Sequence, residues 1–149
     1  MEGNTLKNAM IHDALKKSVT FASRLYRSAP VQHYLIYKRN TKSVYPLEQY
    51  LRKIMNTDPN MVRLKKEIKQ HTSRAALLLC QLHETCGEPD QKVYEQTQDL
   101  ENLLKKMPGC EHLAQNISKA LNKAPLVSGQ QKTAFLASFS ASSSYGPSM

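Results

Sequence analysis

The sequence predicts an all-α protein, a single helical bundle of about five to six helices over residues 1–124, followed by a flexible tail over 125–149. Three observations lead to this fold class. Leu, Lys, Ala, Gln and Glu, which favour helices, are abundant, while runs of Val, Ile and Thr are missing. Apolar residues recur at spacings of three and four along most of the chain, and proline or glycine separates these segments. A chain of 149 residues is also long enough to bury a core without disulfides or a metal ion.

The first two predicted helices meet at Pro30. The residue before a proline avoids the α region, so we expect the first helix to begin at Asn4 or Thr5 and to end near residues 28–30. Its apolar residues are Leu6, Met10, Ile11, Leu15, Ala22, Leu25 and Tyr26. Pro30 then opens a short second helix through Arg39. A strand is the alternative for this segment, because periodicity cannot assign an apolar run as short as YLIY at 34–37.

The third and fourth helices have the clearest start signals. Pro46 suits the first turn of a helix whose apolar face is formed by Leu47, Tyr50, Leu51, Ile54 and Met55. Asp58 is expected to cap the next helix, in which Pro59 needs no amide partner. This long helix should stop at Gly87. Its stripe over three heptads consists of Met61, Leu64, Ile68, His71, Ala75, Leu78 and Leu82.

Two shorter helices and the tail complete the prediction. One helix restarts at residues 88–90, is terminated by Pro108-Gly109, and has a stripe of Val93, Thr97, Leu100, Leu104 and Met107. The last runs from about Glu111 to Lys123 and buries Leu113, Ile117, Ala120 and Leu121. After Pro125 the chain is rich in Ser, Ala, Gln and Gly and is expected to be flexible. The apolar island of Phe135, Leu136 and Phe139 docks either on the bundle or on a partner.

No segment of the sequence is typical of a membrane or secreted protein. The longest apolar run, AALLLCQL at 75–82, is too short to span a bilayer, and the N-terminus lacks the features of a secretory signal. We therefore expect an intracellular protein, cytoplasmic or nuclear, with the mitochondrion as an alternative. In such a compartment Cys80, Cys86 and Cys110 are expected to be reduced thiols.

The sequence favours neither an enzyme nor a cofactor-binding protein. The five glycines are scattered and form no phosphate-binding loop. Cys80, His83 and Cys86 are the best candidates for metal ligands, but they lack paired CxxC or HxxxH spacing. Asp99 and Glu101 point apart on a helix, which does not suit acid–base catalysis on one substrate. We accordingly predict no catalytic residues, no cofactor and no metal site.

The positive charge is concentrated in the N-terminal part of the chain. Residues 1–57 carry ten Lys or Arg against three acids, whereas the whole chain has a net charge of +9. This asymmetry predicts a face that meets an anionic partner. The predicted basic surface consists of Arg24, Arg27, Lys38, Arg39, Lys42, Arg52, Lys53, Arg63, Lys66 and Lys69.

We interpret the chain as a scaffold or assembly subunit that binds a protein partner or complex, with self-association left open. The apolar stripe residues Ile68, Leu78 and Leu82 are assigned to the same association. Nucleic acid is the alternative partner, because aromatic rings beside cations can stack on bases and neutralise phosphates. The tyrosines concerned are Tyr34, Tyr37, Tyr45 and Tyr50. In a competing interpretation Tyr50 faces inward, and Tyr34 and Tyr37 cover the core with their rings.

One tripeptide resembles a family signature. RLYRSAP at 24–30 contains Leu25-Tyr26-Arg27 and looks like the motif of the LYR family, small basic helical proteins of the mitochondrial matrix. The resemblance implies an assembly factor for respiratory complexes and iron-sulfur proteins that binds acyl carrier protein. Pro30 interrupts the helix that this family would continue.

A second short pattern, LENLL at 100–104, resembles the LxxLL box with which coactivators dock on nuclear receptors. Any amphipathic helix with leucines at i, i+3 and i+4 produces the same pattern. We therefore assign these leucines to the core.

Overall fold

The computed structural model describes residues 2–41 and 45–122, which form six α-helices and no strand. The helices are α1 (Glu2–Tyr26), α2 (Ala29–Asn40), α3 (Tyr45–Thr57), α4 (Pro59–Glu84), α5 (Gln91–Lys105) and α6 (Gln115–Asn122). The all-α prediction is confirmed. The YLIY segment is part of α2, so the strand alternative is wrong. The predicted tail lies outside the described residues, as does Lys42.

Helix α4 lies at the centre of the bundle, and α1 packs along it in the opposite direction. Lys7 Nζ donates to Gln81 Oε1 at 2.7 Å near one end of the pair. Toward the other end the rings of Phe21 and His71 stack with their centroids 5.7 Å apart. These contacts fix the register of the two longest helices.

Helix α5 runs parallel to α1 and is tied to it at both ends. His12 Nε2 lies 2.9 Å from Asp90 Oδ1, and the Lys106 ammonium lies over the ring of Tyr26. The side chain of Asn8 also bonds to the carbonyl of Glu88 and accepts from the amide of Asp90. The loop between α4 and α5 is therefore held against α1.

The apolar stripe of α4 forms the middle of the core, which corrects its assignment to a partner. Ile68 and Leu82 are fully buried, and Leu78 is only 5% exposed. Helices α1, α3 and α6 pack against α4 and cover it within the single chain. A residue of the stripe therefore cannot reach a partner in this fold. His71 is the half-buried exception, since it stacks on Phe21 and pairs with Glu67 at 3.4 Å.

Proline and aspartate mark the helix starts as predicted. Helix α2 begins at Ala29 with Pro30 in its first turn, and the Asp58 carboxylate accepts from the Met61 amide at 3.1 Å. The last helix begins later than expected, at Gln115, because residues 111–114 form turns. In that segment the carboxylate of Glu111 accepts from the Gly109 amide.

The end of α4 shows why Gly87 is a glycine. The Gly87 amide bonds to the Leu82 carbonyl and the Cys86 amide to the His83 carbonyl, which closes the helix in a Schellman arrangement. The left-handed residue is Cys86, with φ of 59°, and not the glycine. A Cβ on Gly87 would lie 2.4 Å from Asn4 Oδ1. Close contact with the side chains of Asn4 and Leu82, and not backbone conformation, therefore favours glycine at this position.

Candidate functional site

Half of the exposed large apolar side chains lie within one short stretch of the chain. Among the described residues eight such side chains are exposed, and Ile36, Tyr37, Tyr45 and Tyr50 all belong to α2 and α3. The others are scattered over α1, α4 and α5 as Leu6, Val62, Leu77 and Tyr94. Tyr50 is 61% exposed, so the interpretation that it faces inward is wrong.

Helix α2 is apolar on two faces. Its inner face buries Val31 and Tyr34 against the core. The opposite face presents four exposed residues at i, i+3, i+4 and i+7, which we call the α2 outer face: His33, Ile36, Tyr37 and Asn40. Together with Thr41 they line an open depression of about 510 Å³. The α2 outer face is thus a continuous exposed row with Ile36 and Tyr37 at its centre.

The buried Tyr34 on the inner face of α2 contacts Glu48, which is the one acidic residue between positions 29 and 57. The Tyr34 hydroxyl donates to Glu48 at 3.3 Å, and the Lys38 ammonium lies 5.8 Å from the centre of the Tyr34 ring. Burial, followed by the charge of Glu48, raises the pKa of Tyr34. Helix α2 itself contains no acidic residue. Residues 29–57 carry five Lys or Arg against this single acid, so the surroundings of the α2 outer face are positive.

Most of the predicted basic residues are exposed, and two of them contact side chains of their own helix. The exposed ones are Arg24, Arg27, Lys38, Arg39, Lys53, Arg63, Lys66 and Lys69. Arg24 lies over the ring of Phe21, and Arg63 donates to Asn60 on its own helix. Arg52 is half-buried and forms an ion pair of 3.0 Å with Glu111. Its charge is therefore neutralised locally.

Two lysines of α4 influence the histidine in the turn before α6. Burial, and then the positive charges of Lys65 and Lys69, lower the pKa of His112, which favours its neutral form. Burial by itself would raise the pKa of Glu111, but backbone amides and Arg52 outweigh it and lower that pKa. Sequence reasoning missed Lys65 and His112, because they come from segments that are 47 residues apart.

The cysteines and histidines are dispersed. Cys80 is buried, Cys86 is exposed, and His83 Nε2 contacts the Ala120 carbonyl at 3.2 Å. In the described ranges no three His, Cys, Asp or Glu residues come together as they would around a metal ion. Burial raises the pKa of the Cys110 thiol to about 12, so this sulfur stays protonated at neutral pH.

The two short sequence patterns differ in burial. Leu100 and Leu104 are buried and Leu103 is half-buried, so LENLL packs inside the bundle. In the Leu25-Tyr26-Arg27 triplet Leu25 is buried and Arg27 is exposed. Helix α1 ends at Tyr26, so the triplet spans a helix end.

No helix in the part of the chain that the structure describes has the length and apolar character needed to cross a membrane. Comparison of the chain with models of known protein families, with curated proteins and with solved structures finds no match.

Proposed function

We propose that this protein is a non-enzymatic helical interaction module that binds an acidic protein through the α2 outer face. The observation that supports this proposal is the exposed row of His33, Ile36, Tyr37 and Asn40 on a helix whose other side is already buried. Burying Ile36 and Tyr37 against a partner would remove apolar area from water, which is the main driving force of association. The proposed module belongs in a reducing compartment, cytoplasmic or nuclear, where the thiols of Cys80, Cys86 and Cys110 stay reduced.

The residue types of the α2 outer face suit a protein partner. Tyrosine is enriched at the energetically important positions of interfaces, because it offers a large surface at a small cost in side-chain entropy. Tyr37 is 52% exposed and has a wide apolar ring beside Ile36. An amphipathic helix of the partner, laid against this row, would contact residues at i, i+3, i+4 and i+7.

The charge around the α2 outer face selects an acidic partner over a second copy of this chain. Lys38 and Arg39 follow Tyr37 in the sequence and are exposed, with the Lys38 ammonium over the ring of Tyr34 on the inner face, and Lys53 is exposed on α3. Two copies meeting through this surface would bring like charges together, which costs free energy. An acidic partner would instead gain affinity and a faster association rate.

The proposal is tested by photo-cross-linking in cells, followed by binding measurements with the purified partner. A photoreactive amino acid at position 37 should capture one acidic protein, whereas the same group at exposed Leu77 on α4 should not. With that protein purified, Ile36→Ser with Tyr37→Ser should weaken binding at least tenfold, and Leu77→Ser should leave it unchanged. A folded double variant that binds with full affinity would contradict the proposal.

Nucleic-acid binding is the second candidate, and the positive charges of Lys65 and Lys69 favour it. The charges of Lys65 and Lys69 act on His112, and the carboxylate of Glu111, which acts on it in the opposite sense, is paired with Arg52. This proposal expects submicromolar binding of fluorescent oligonucleotides at about 150 mM salt, with affinity that falls steeply as salt rises. Lys65→Glu with Lys69→Glu should weaken the binding. Anisotropy that does not change with added protein would reject this candidate.

A further inference from the structure

A hydrogen bond joins α5 to α6 and lies between two cavities. The Ser118 hydroxyl donates to the Glu101 carboxylate, and both residues line both cavities. The larger cavity measures about 390 Å³ and lies toward the start of α6, and the smaller one measures about 220 Å³ and lies toward its end. We call the two cavities together the α5–α6 cleft. Most of the side chains that line the cleft are charged or polar, so it suits a polar ligand.

The larger cavity has a surplus of positive charge. Lys105 of α5 and Lys119 of α6 line it, and neither ammonium group has a hydrogen bond or an ion pair within the described ranges of the chain. Two carboxylates also line it, but Glu111 is already paired with Arg52 at 3.0 Å, and Glu101 accepts from α6. When Arg52 is included, three cations are present against two acids. Ammonium groups bind phosphate as compact point charges, so this cavity favours a phosphate group.

The smaller cavity is lined by a buried hydroxyl without a partner. Thr97 is 3% exposed, and its Oγ1 has no hydrogen-bond partner among the residues described. A buried hydroxyl that is left unpaired costs free energy, so most such groups in proteins are bonded. This hydroxyl is a second observation, separate from the lysines, that indicates a polar ligand in the cleft.

An aromatic ring and the length of the cleft restrict the shape of this ligand. Tyr94 lines the smaller cavity and is 44% exposed, and the face of a tyrosine ring can stack on a flat ring of a ligand. On α5 the smaller cavity is lined over 94–101 and the larger one over 101–105, so their centres lie about 8 Å apart at the rise of an α-helix. Glu101 lies between the two, where its carboxylate can accept from a sugar hydroxyl. A flat ring, a sugar and a phosphate in this order are the parts of a nucleoside monophosphate.

We propose that the α5–α6 cleft binds a nucleoside monophosphate, with the phosphate between Lys105 and Lys119 and the base against the ring of Tyr94. The Thr97 hydroxyl bonds to a polar edge of the base, and Glu101 accepts from the sugar. The lysines take the place of a glycine-rich loop, which the sequence lacks. A ligand held by both helices would also fix α6 against α5. The cleft is separate from the α2 outer face, so this proposal is independent of the function proposed above.

Titration of the isotope-labelled full chain, followed through its amide signals in NMR spectra, tests the proposal. Each of the four ribonucleoside monophosphates is added separately, and we expect at least one to give saturable shifts below about 1 mM, concentrated in α5 and α6. Lys105→Ala with Lys119→Ala should weaken this binding at least tenfold. The matched control, Lys92→Ala with Lys106→Ala, removes two exposed lysines that do not line the cleft, and it should change the affinity less than twofold. No saturable shift with any of the four, or equal losses in the two double variants, would overturn the proposal.

Two further measurements separate recognition of the whole ligand from simple attraction of phosphate. The monophosphate should bind at least fivefold more tightly than ribose 5-phosphate, which lacks the base, and Tyr94→Leu should remove this difference. Thr97→Val, which keeps the shape and removes the hydroxyl, should weaken binding of the monophosphate severalfold and leave that of ribose 5-phosphate unchanged. Equal affinities of the two ligands for the unaltered protein would overturn the assignment of a nucleoside ligand. A Thr97→Val protein that binds the monophosphate with full affinity would overturn the role of the hydroxyl.

Discussion

Helices α4 and α2 use apolar residues in opposite ways. In α4 the apolar residues at spacings of three and four are buried. Among its described residues, the only large apolar side chains that are exposed are those of Val62 and Leu77. In α2, which has less than half the length, Val31 and Tyr34 are buried, while Ile36 and Tyr37 face solvent. A long helix with one apolar stripe builds the core. A short helix with apolar residues on both faces leaves one face free for binding.

The largest effect is expected in the centre of α4. Ile68→Ala removes three carbon atoms from a fully buried site, and because the surrounding helices relax only partly, unfolding should become easier by about 2–5 kcal/mol. Val62→Ala on the same helix is the control, since Val62 is 41% exposed, and it should change stability by no more than about 0.5 kcal/mol. Urea denaturation followed by circular dichroism measures both. Similar losses in the two variants would contradict the placement of the stripe in the core.

The contrast between these helices also explains which features could be predicted from the sequence. The α4 stripe repeats over three heptads, so a single burial pattern accounts for almost all of its residues. In α2, apolar residues at adjacent positions fit no single face, and periodicity alone could not show that Ile36 and Tyr37 point outward. The interpretation that Tyr50 faces the core is wrong for a related reason. It follows the apolar spacing of α3, but the core contacts a narrower face that contains Leu51 and Met55.

The second-largest change in stability is expected in α2, where its two faces can be compared. Val31→Ala, on the buried face, should cost about 1.5–3 kcal/mol of stability, because a fully buried side chain is truncated. Ile36→Ala, five residues along the same helix, should change stability by no more than about 0.5 kcal/mol and should instead weaken partner binding. Thermal unfolding of the two variants side by side makes the comparison. An Ile36→Ala protein as unstable as Val31→Ala would remove the case for a free outer face.

The influence of Lys65 and Lys69 on His112 could not be inferred from sequence, for a physical reason. These three residues come from α4 and from the segment before α6, and only the parallel packing of α6 on α4 brings them together. That packing is held by the Thr72 hydroxyl, which donates to the Leu113 carbonyl at 3.1 Å. Local patterns contain no information about such a contact between distant segments.

A smaller effect, of opposite sign at adjacent positions, is expected at the end of α4. Gly87→Ala should destabilise the fold, because the added methyl group would lie 2.4 Å from Asn4 Oδ1 and 2.6 Å from Leu82 Cδ1. Cys86→Gly should stabilise it by up to about 1 kcal/mol, because glycine adopts a positive φ without steric cost. Chemical denaturation of both variants checks the pair. A destabilised Cys86→Gly protein would mean that the cysteine side chain makes a contact worth more than the relief of strain.

At alkaline pH the α2–α3 contact should weaken. The pKa of Tyr34 is raised in the folded state, first by burial and then by Glu48, so its contribution to stability is complete below about pH 10 and is lost as pH rises through the folded pKa. Tyr34→Phe should therefore flatten the fall in stability above pH 10. Tyr37→Phe, at an exposed position on the same helix, should leave that fall unchanged. Unfolding curves of the unaltered protein and the two variants, collected between pH 8 and pH 11, measure this fall in stability.

At acid pH the contact between α1 and α5, formed by His12 and Asp90, should weaken. Burial by itself would raise the pKa of Asp90, but hydrogen bonds from His12 and the Val93 amide outweigh it and lower that pKa. A lowered folded pKa means that the contribution of Asp90 to stability is present above about pH 4 and is lost as pH falls further.

Asp90→Asn retains an N-cap side chain but has no charge to titrate, so the stability of this variant should fall less steeply below pH 4. His12→Ala removes a donor and keeps the carboxylate, and it should flatten the same limb only in part. An acid limb that is identical in all three proteins would show that this contact contributes nothing to pH dependence. Acid pH and alkaline pH would then no longer weaken two different contacts, the α1–α5 contact at low pH and the α2–α3 contact at high pH.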